Sequence, residues 1–161
     1  MMFAEFLRPM QPGEESDVQA LLRTCFESDA EARLVEALRQ SGDIAGEMVL
    51  PMGDKIIGYY ALSAMRAPAS WLALAPVAVH PSHQKRGHGR RMLGQLTSWA
   101  KAAGQWVVVL GEPAFYARCG FDQARAARLT TPYPITHTLL AGPGEDVPKV
   151  TLLYPKAFET P

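Results

Sequence analysis

The sequence predicts an α/β fold, and three observations carry that prediction. A hairpin pattern, a largely apolar strand, an amphipathic helix and a second apolar strand follow one another between about residues 45 and 120. The spacing of apolar residues changes along this stretch from strand-like to helical and back. Turn-forming residues mark the junctions: Met52-Gly53-Asp54, the pair Gly87 and Gly89, and Gly104. A hairpin feeding a strand–helix–strand unit belongs to that class.

The elements follow in order. Phe3 to Arg8 reads as a short first strand. Pro12, Gly13 and Glu14 open a helix in which Val18, Leu21, Leu22, Cys25 and Phe26 recur at helical spacing. A second helix spans about Ala30 to Gln40, with Leu34, Val35 and Leu38 as its buried stripe, and Ser41-Gly42-Asp43 stops it. Met48 to Pro51 and Lys55 to Met65 form the hairpin, the second arm rich in the strand formers Ile56, Ile57, Tyr59 and Tyr60. Trp71 to His80 is apolar on both faces, as a central strand is. Pro76 cannot donate to the ladder, so it marks a bulge or a place where pairing stops. Gly89 to Ala103 is a helix with Met92, Leu93, Leu96, Trp99, Ala100 and Ala103 on one face, and Gly104 ends it. Trp106 to Leu110 is a short buried strand, and Pro113 opens a short helix. Past Phe121 the pattern weakens to Pro-rich loops, with Thr151 to Tyr154 as a last strand.

At 161 residues and 17.6 kDa the chain has the size of one domain, residues 1–161. It is 48% hydrophobic and 20% charged, which suits a soluble globular protein and excludes a disordered chain, a collagen-like fibre and a coiled coil. No apolar run approaches the roughly 20 residues of a membrane span. Met1 to Pro9 contains Glu5 and Arg8 and no apolar stretch of the secretory type, so the expected location is the cytoplasm. Cys25 and Cys119 are too few for a disulfide scaffold. Neither they nor His83 and His88 have metal-ligand spacing, so no metal is expected. Net charge is zero, which argues against a dedicated nucleic-acid binder. The charges are nonetheless divided: residues 1–54 hold eleven acids and four bases, the rest of the chain twelve bases and five acids. The second part is therefore the better home for an anionic ligand.

The chemistry concentrates in Val77 to Arg91. A buried strand ends at His80, a short loop leads to Gly87 and Gly89, and a helix begins at once. Glycines so placed let backbone approach a ligand and present successive N–H groups. The helix start adds unpaired donors and a partial positive charge. Lys85, Arg86, Arg90 and Arg91 surround it, and no acid lies between Trp71 and Ala103. Physically this is a diphosphate cradle. The full P-loop is absent, and the dinucleotide fingerprint lacks its third glycine, where Met92 stands. A basic, solvated helix start is the bland alternative.

Gln84-Lys85-Arg86-Gly87-His88-Gly89 resembles the Q/R-x-x-G-x-G/A signature of the GNAT superfamily of acyl-CoA-dependent N-acyltransferases. Downstream, Leu110-Gly111-Glu112-Pro113-Ala114-Phe115-Tyr116-Ala117-Arg118-Cys119-Gly120-Phe121 resembles that superfamily's tyrosine-bearing strand-to-helix segment, roughly aromatic-Tyr-x-x-x-Gly-Phe. The resemblance covers about residues 44–122, and both motifs stand in the superfamily's order. It implies an α+β variant of the class: a mixed, mostly antiparallel central sheet flanked by helices and splayed between two central strands.

For function, the resemblance implies transfer of an acetyl group from acetyl-CoA, the co-substrate, to a primary amine on a small molecule or protein. Backbone at Val77, Ala78 and Val79 would hold the pantetheine arm, and an N–H near Val79 would polarise the thioester carbonyl. Amides from Gln84 to Gly89, through Lys85, Arg86, Gly87 and His88, would take the diphosphate. The side chains of Lys85, Arg86 and Arg90 would meet phosphate oxygens. Phe115 would pack along the cofactor, and Tyr116 would protonate the departing thiolate, since a phenol of pKa about 10 is protonated at neutral pH. Tyr59, Tyr60 and the first two helices would border the acceptor pocket. The general base stays open: Glu112, His80 and an ordered water are the options, with Glu112 better placed as a helix flank and His80 in a structural turn. Cys119 reads as a small packed residue. A homodimer is a further implication. Two rivals remain, an acyl-CoA sensor without turnover and a nucleic-acid-interaction protein using the basic loop.

Overall fold

The computed structural model describes residues 4–159. Its elements are β1 (Arg8–Pro9), α1 (Glu15–Cys25), α2 (Ala30–Ser41), β2 (Ile44–Met52), β3 (Lys55–Ala64), β4 (Leu72–Val79), α3 (His88–Ala103), β5 (Val107–Leu110), α4 (Pro113–Arg118) and β6 (Thr138–Ala141). The six strands lie in one sheet in chain order. All neighbours are antiparallel except β4 and β5, which α3 connects as a parallel pair. The sheet is therefore mixed and mostly antiparallel, and helices flank it, as the resemblance implied.

Each face has its own core. On one, α3 contributes Met92, Leu93, Leu96 and Ala100 against Leu50, Tyr60, Leu62, Leu74 and Leu139. A Cβ at Gly58 would stand 2.8 Å from Met92 Sδ and 3.0 Å from Leu50 Cβ, so a larger residue there would force the Met92 side chain of α3 to shift. On the other face, α1 and α2 set Val18, Leu22 and Val35 on Val49, Tyr59, Ala61 and Ala78. A third cluster stacks Trp71 on Trp106 at 5.2 Å and adds Leu129, Leu152 and Tyr154 from the last forty residues.

Several expectations change. Phe3 lies outside the described residues, and pairing starts only at Arg8, opposite Val49. Thr151 to Tyr154 makes isolated bridges, Thr151 with Thr130 and Leu153 with Ala67. The last strand is β6 instead, a run buried throughout. Its burial comes from both sides, so it carries no alternation for a sequence reading to detect. Trp99 is 46% exposed and Ala103 faces solvent, because the buried stripe of α3 ends at Ala100. Tyr59 does not border a pocket: it is wholly buried, and its hydroxyl donates to Glu47 Oε1 at 2.6 Å. Glu47 in turn pairs with Arg39 at 2.7 Å, tying α2 to β2. Among the described residues no helix is long and apolar enough to cross a membrane.

Candidate active site

The site begins with a defect in β4. Tyr60 pairs with Val77 and Leu62 with Leu74, so Ala75 and Pro76 together face Ala61 alone. This is a bulge, and Pro76 sits in it as its missing N–H predicts. Pairing with β5 stops at the same place: Leu74–Val109 is its last pair, while β4 continues to Val79. The two central strands thus part company, and the distal half of β4 has no strand on its β5 side. The bulge also resets which side chains face α3. Leu72 and Leu74 face it before the bulge, Val77 and Val79 after it, and Ala78 faces α1 and α2.

Beyond β4 the chain is pinned, turned and turned again. His80 Nδ1 accepts from Ser82 N at 3.1 Å, which fixes His80 as the cap of a short turn over Pro81–His83. Gln84 Nε2 donates to the carbonyl of Val79 at 2.9 Å, and the Cys25 thiol reaches the same oxygen from α1 at 3.3 Å. Lys85 and Gly87 then adopt positive φ, 65° and 82°. Positive φ in a lysine is strained backbone, and such strain gathers where a loop must hold a particular shape. Gly87 caps α3. A Cβ at Gly89 would touch the Phe115 ring at 3.4 Å, so the helix start and α4 meet across a bare backbone.

These elements enclose a cleft of about 570 Å³, lined by Val77, Val79, His83, Gln84, Lys85, Gly87, His88, Gly89, Arg90, Phe115, Tyr116 and Arg118. Of the residues singled out from sequence, Ala78 and Arg86 are not in its wall: Ala78 packs on the opposite face, and Arg86 is exposed outside it. Ala78 can still contribute backbone, because strand amides lie in the sheet plane whichever way the side chain points. His83 and Arg118 line the cleft although the sequence reading gave neither a role. His83 sits one residue ahead of the recognised signature, and only folding brings the end of α4 across to α3.

Tyr116 is held on three sides. Its ring packs edge-on against Phe115 at 5.0 Å and Phe121 at 5.8 Å. A Cβ on Gly111 would collide with ring atom Cε2 of Tyr116 and stand 3.0 Å from Cδ2. Burial pushes the phenol up to about 12, so it is protonated throughout the neutral range. Gly120 has φ 104°, and a Cβ there would overlap Thr97 Oγ1. Thr97 Oγ1 also donates to the carbonyl of Cys119 at 2.7 Å, so α4 is tied to α3 just behind the tyrosine. Cys119 is 2% exposed and burial raises its thiol pKa, which fits a packed residue and not a thiolate nucleophile.

Among the described residues no carboxylate lines the cleft, whereas Lys85, Arg90 and Arg118 do. Glu112 stands at the N-cap of α4 with its side chain exposed and making no capping bond. Burial and the nearby Arg91, His83 and Arg86 lower the pKa of His88, and its Nδ1 takes a hydrogen bond from Arg91. The cleft is therefore basic, and the protonated phenol of Tyr116 belongs to its wall. Among the described residues no group of His, Cys, Asp and Glu is arranged to hold a metal.

The sequence model of the acetyltransferase (GNAT) family matches residues 13–121. The chain belongs to that family. A GNAT acetyltransferase is an acyl-CoA-dependent transferase, and the cleft lies between the elements bearing the two recognised motifs. The chain is 36% identical over 135 residues to YhbS of Escherichia coli K12, described as an uncharacterised N-acetyltransferase, covering 79% of each. A crystal structure of E. coli YhbS in complex with CoA superposes with a TM-score of 0.83 at 28% identity, covering 96% of this chain and 92% of that one. A GNAT acetyltransferase from Brucella melitensis in complex with acetyl-CoA shares the fold, with a TM-score of 0.79 at 23% identity and 98% of both chains covered.

Proposed function

We propose that this GNAT acetyltransferase moves an acetyl group from acetyl-CoA directly to a primary amine of a small molecule or protein. The single observation that supports this most is the junction of three features in one cleft: the distal half of β4, open on its β5 side, the basic turn before α3, and the phenol of Tyr116. An acyl-CoA needs all three. Its pantetheine arm offers amides to a free strand edge, its diphosphate needs N–H donors and cations, and its sulfur needs a proton when the thioester breaks. YhbS and the Brucella enzyme crystallised with CoA and acetyl-CoA, which agrees with this use of the cleft.

The residue roles follow the geometry. Backbone along Val77, Ala78 and Val79 holds the pantetheine. Amides of Gln84 through Gly89 hold the diphosphate, with Lys85 and Arg90 adding charge and Arg86 contributing from outside the wall. Gln84 acts through its bond to Val79, setting the loop against the strand. Phe115 packs beside the arm. The neutral amine attacks the thioester carbon, the tetrahedral intermediate collapses, and the leaving sulfur takes the proton of Tyr116. Burial keeps the phenol protonated at working pH and also makes it a weaker acid, so the transfer is driven by the negative charge that develops on sulfur as the bond breaks. No carboxylate of the cleft is placed to deprotonate the amine, which favours water as the proton's way out.

The experiment is an acetyl-CoA assay that follows free thiol with polyamines, amino acids and peptides as acceptors. Parent protein releases thiol with at least one amine class. Tyr116→Phe binds CoA as the parent does and turns over about 10²-fold slower, the lower range for a general acid. A Tyr116→Phe rate equal to the parent's removes Tyr116 from the chemistry. CoA binding with no turnover on any acceptor identifies a sensor instead.

A further inference from the structure

His83 offers an observation that the reading above does not use. Its ring lines the cleft beside Gln84, Gly87 and Gly89, yet its Nδ1 is buried and has no hydrogen-bond partner among the described residues. A buried nitrogen without a partner is costly, and native structures rarely keep one without a use for the group. The ring is wedged edge-on between His80, at 5.9 Å, and His88, at 6.5 Å. Both neighbours are already committed, His80 to the Ser82 amide and His88 to Arg91. His83 therefore holds its orientation by packing alone, and no protein group fixes its tautomer.

Resting on the acyl-CoA reading, we propose that His83 is a further binding residue of the cleft, whose Nε2–H donates to a diphosphate oxygen of the carrier. A neutral imidazole carries one proton. With Nδ1 inward and partnerless, placing that proton on Nε2 leaves only a lone pair unsatisfied inside and turns a donor toward the cleft. The opening holds Lys85, Arg90 and Arg118, and among the described residues no carboxylate that would claim this donor. The hydrogen bond forms only when an anion arrives, so its strength appears in affinity and not in fold stability.

His83→Phe and His83→Gln separate these two readouts. Phenylalanine keeps the wedge and removes both nitrogens; glutamine restores an N–H close to the position of Nε2. In calorimetry with CoA, the Phe variant binds about ten-fold more weakly, the loss expected for one hydrogen bond to an anionic oxygen, and the Gln variant recovers most of it. The thermal midpoint of the Phe variant equals or exceeds that of the parent, because a buried orphan nitrogen has become carbon. With acetyl-pantetheine as donor, which lacks the diphosphate, kcat/KM is the same for all three proteins. A CoA Kd in the Phe variant within about two-fold of the parent, less than a hydrogen bond supplies, overturns the proposal. So does a Gln variant as weak as the Phe variant, or an equal loss with acetyl-pantetheine, each of which makes the ring a matter of shape. A parent that binds no CoA overturns the acyl-CoA reading and this proposal with it.

Discussion

Gly120→Ala tests whether the Gly-Phe step after Tyr116 is set by geometry. Two terms oppose an alanine there. The backbone has φ 104°, well into the region that residues with a Cβ avoid, which costs about 1–3 kcal/mol. The new Cβ would also overlap Thr97 Oγ1 and approach Thr97 Cβ to 2.9 Å. Thr97 is 8% exposed and bonded to the Cys119 carbonyl, so it cannot swing away without breaking that bond, and overpacking of this kind adds about 1–3 kcal/mol. The sum, about 2–6 kcal/mol, lowers the thermal midpoint by about 4–24 °C for a chain of this size. Thermal unfolding followed by circular dichroism reads it. Thr97→Ala in the same chain removes the steric term and returns part of the loss, while the backbone term stays. A drop of less than about 1 kcal/mol, or no relief from the second substitution, would refute the account, since both terms would then have been absorbed by relaxation.

The other predictions concern activity, salt and acid. Gly111→Ala pushes a methyl into the Tyr116 ring, so kcat falls while CoA affinity measured by calorimetry stays near that of the parent. Arg118→Gln removes one cation facing the cleft, raising KM for acetyl-CoA about two- to five-fold, and KM then depends less on salt than in the parent. Glu14 is paired with Arg8 through two bonds of 2.8 Å and accepts from the Gln11 amide, and these contacts hold its carboxyl down at about 2. A lowered folded-state pKa stabilises above the unfolded value and is lost as pH falls from about 4.5 to about 2. The thermal midpoint of Glu14→Gln therefore lies below the parent's at neutral pH, and the gap closes across that acid window.

The cradle was legible because its parts are contiguous. Strand end, glycines and basic residues follow one another within fifteen positions, so local chemistry announced them. Tyr116 and Gly120 were legible only through resemblance, since nothing in the local pattern separates Tyr116 from its neighbour Phe115. What escaped depends on long-range packing. β6 is buried by residues far from it in sequence, Asp122 bridging Leu140 among them. Arg118 meets the cleft because α4 folds back beside α3. Tyr59 reads as a pocket residue from sequence, but Glu47, twelve positions away, takes its hydroxyl and holds it in the core. Pro76 marks a bulge or a stop in pairing from sequence alone, and both occur there, but which side chains face α3 beyond it is not legible in the sequence. Strict alternation carried through residues 75–79 puts the wrong side chains in the cleft.

That bulge makes β4 two half-strands that answer to different demands. Residues up to Leu74 are locked between neighbours on both sides and tolerate little change. Those after Pro76 have one neighbour and an open flank, where backbone shape matters more than side-chain identity. Removing Ala75 or Pro76 would leave one residue opposite Ala61 and a regular ladder, in which Val77 and Val79 still face α3 and Ala78 still faces α1 and α2. What the extra residue supplies is the local bend, and a chain without it would keep the same faces on a straighter strand.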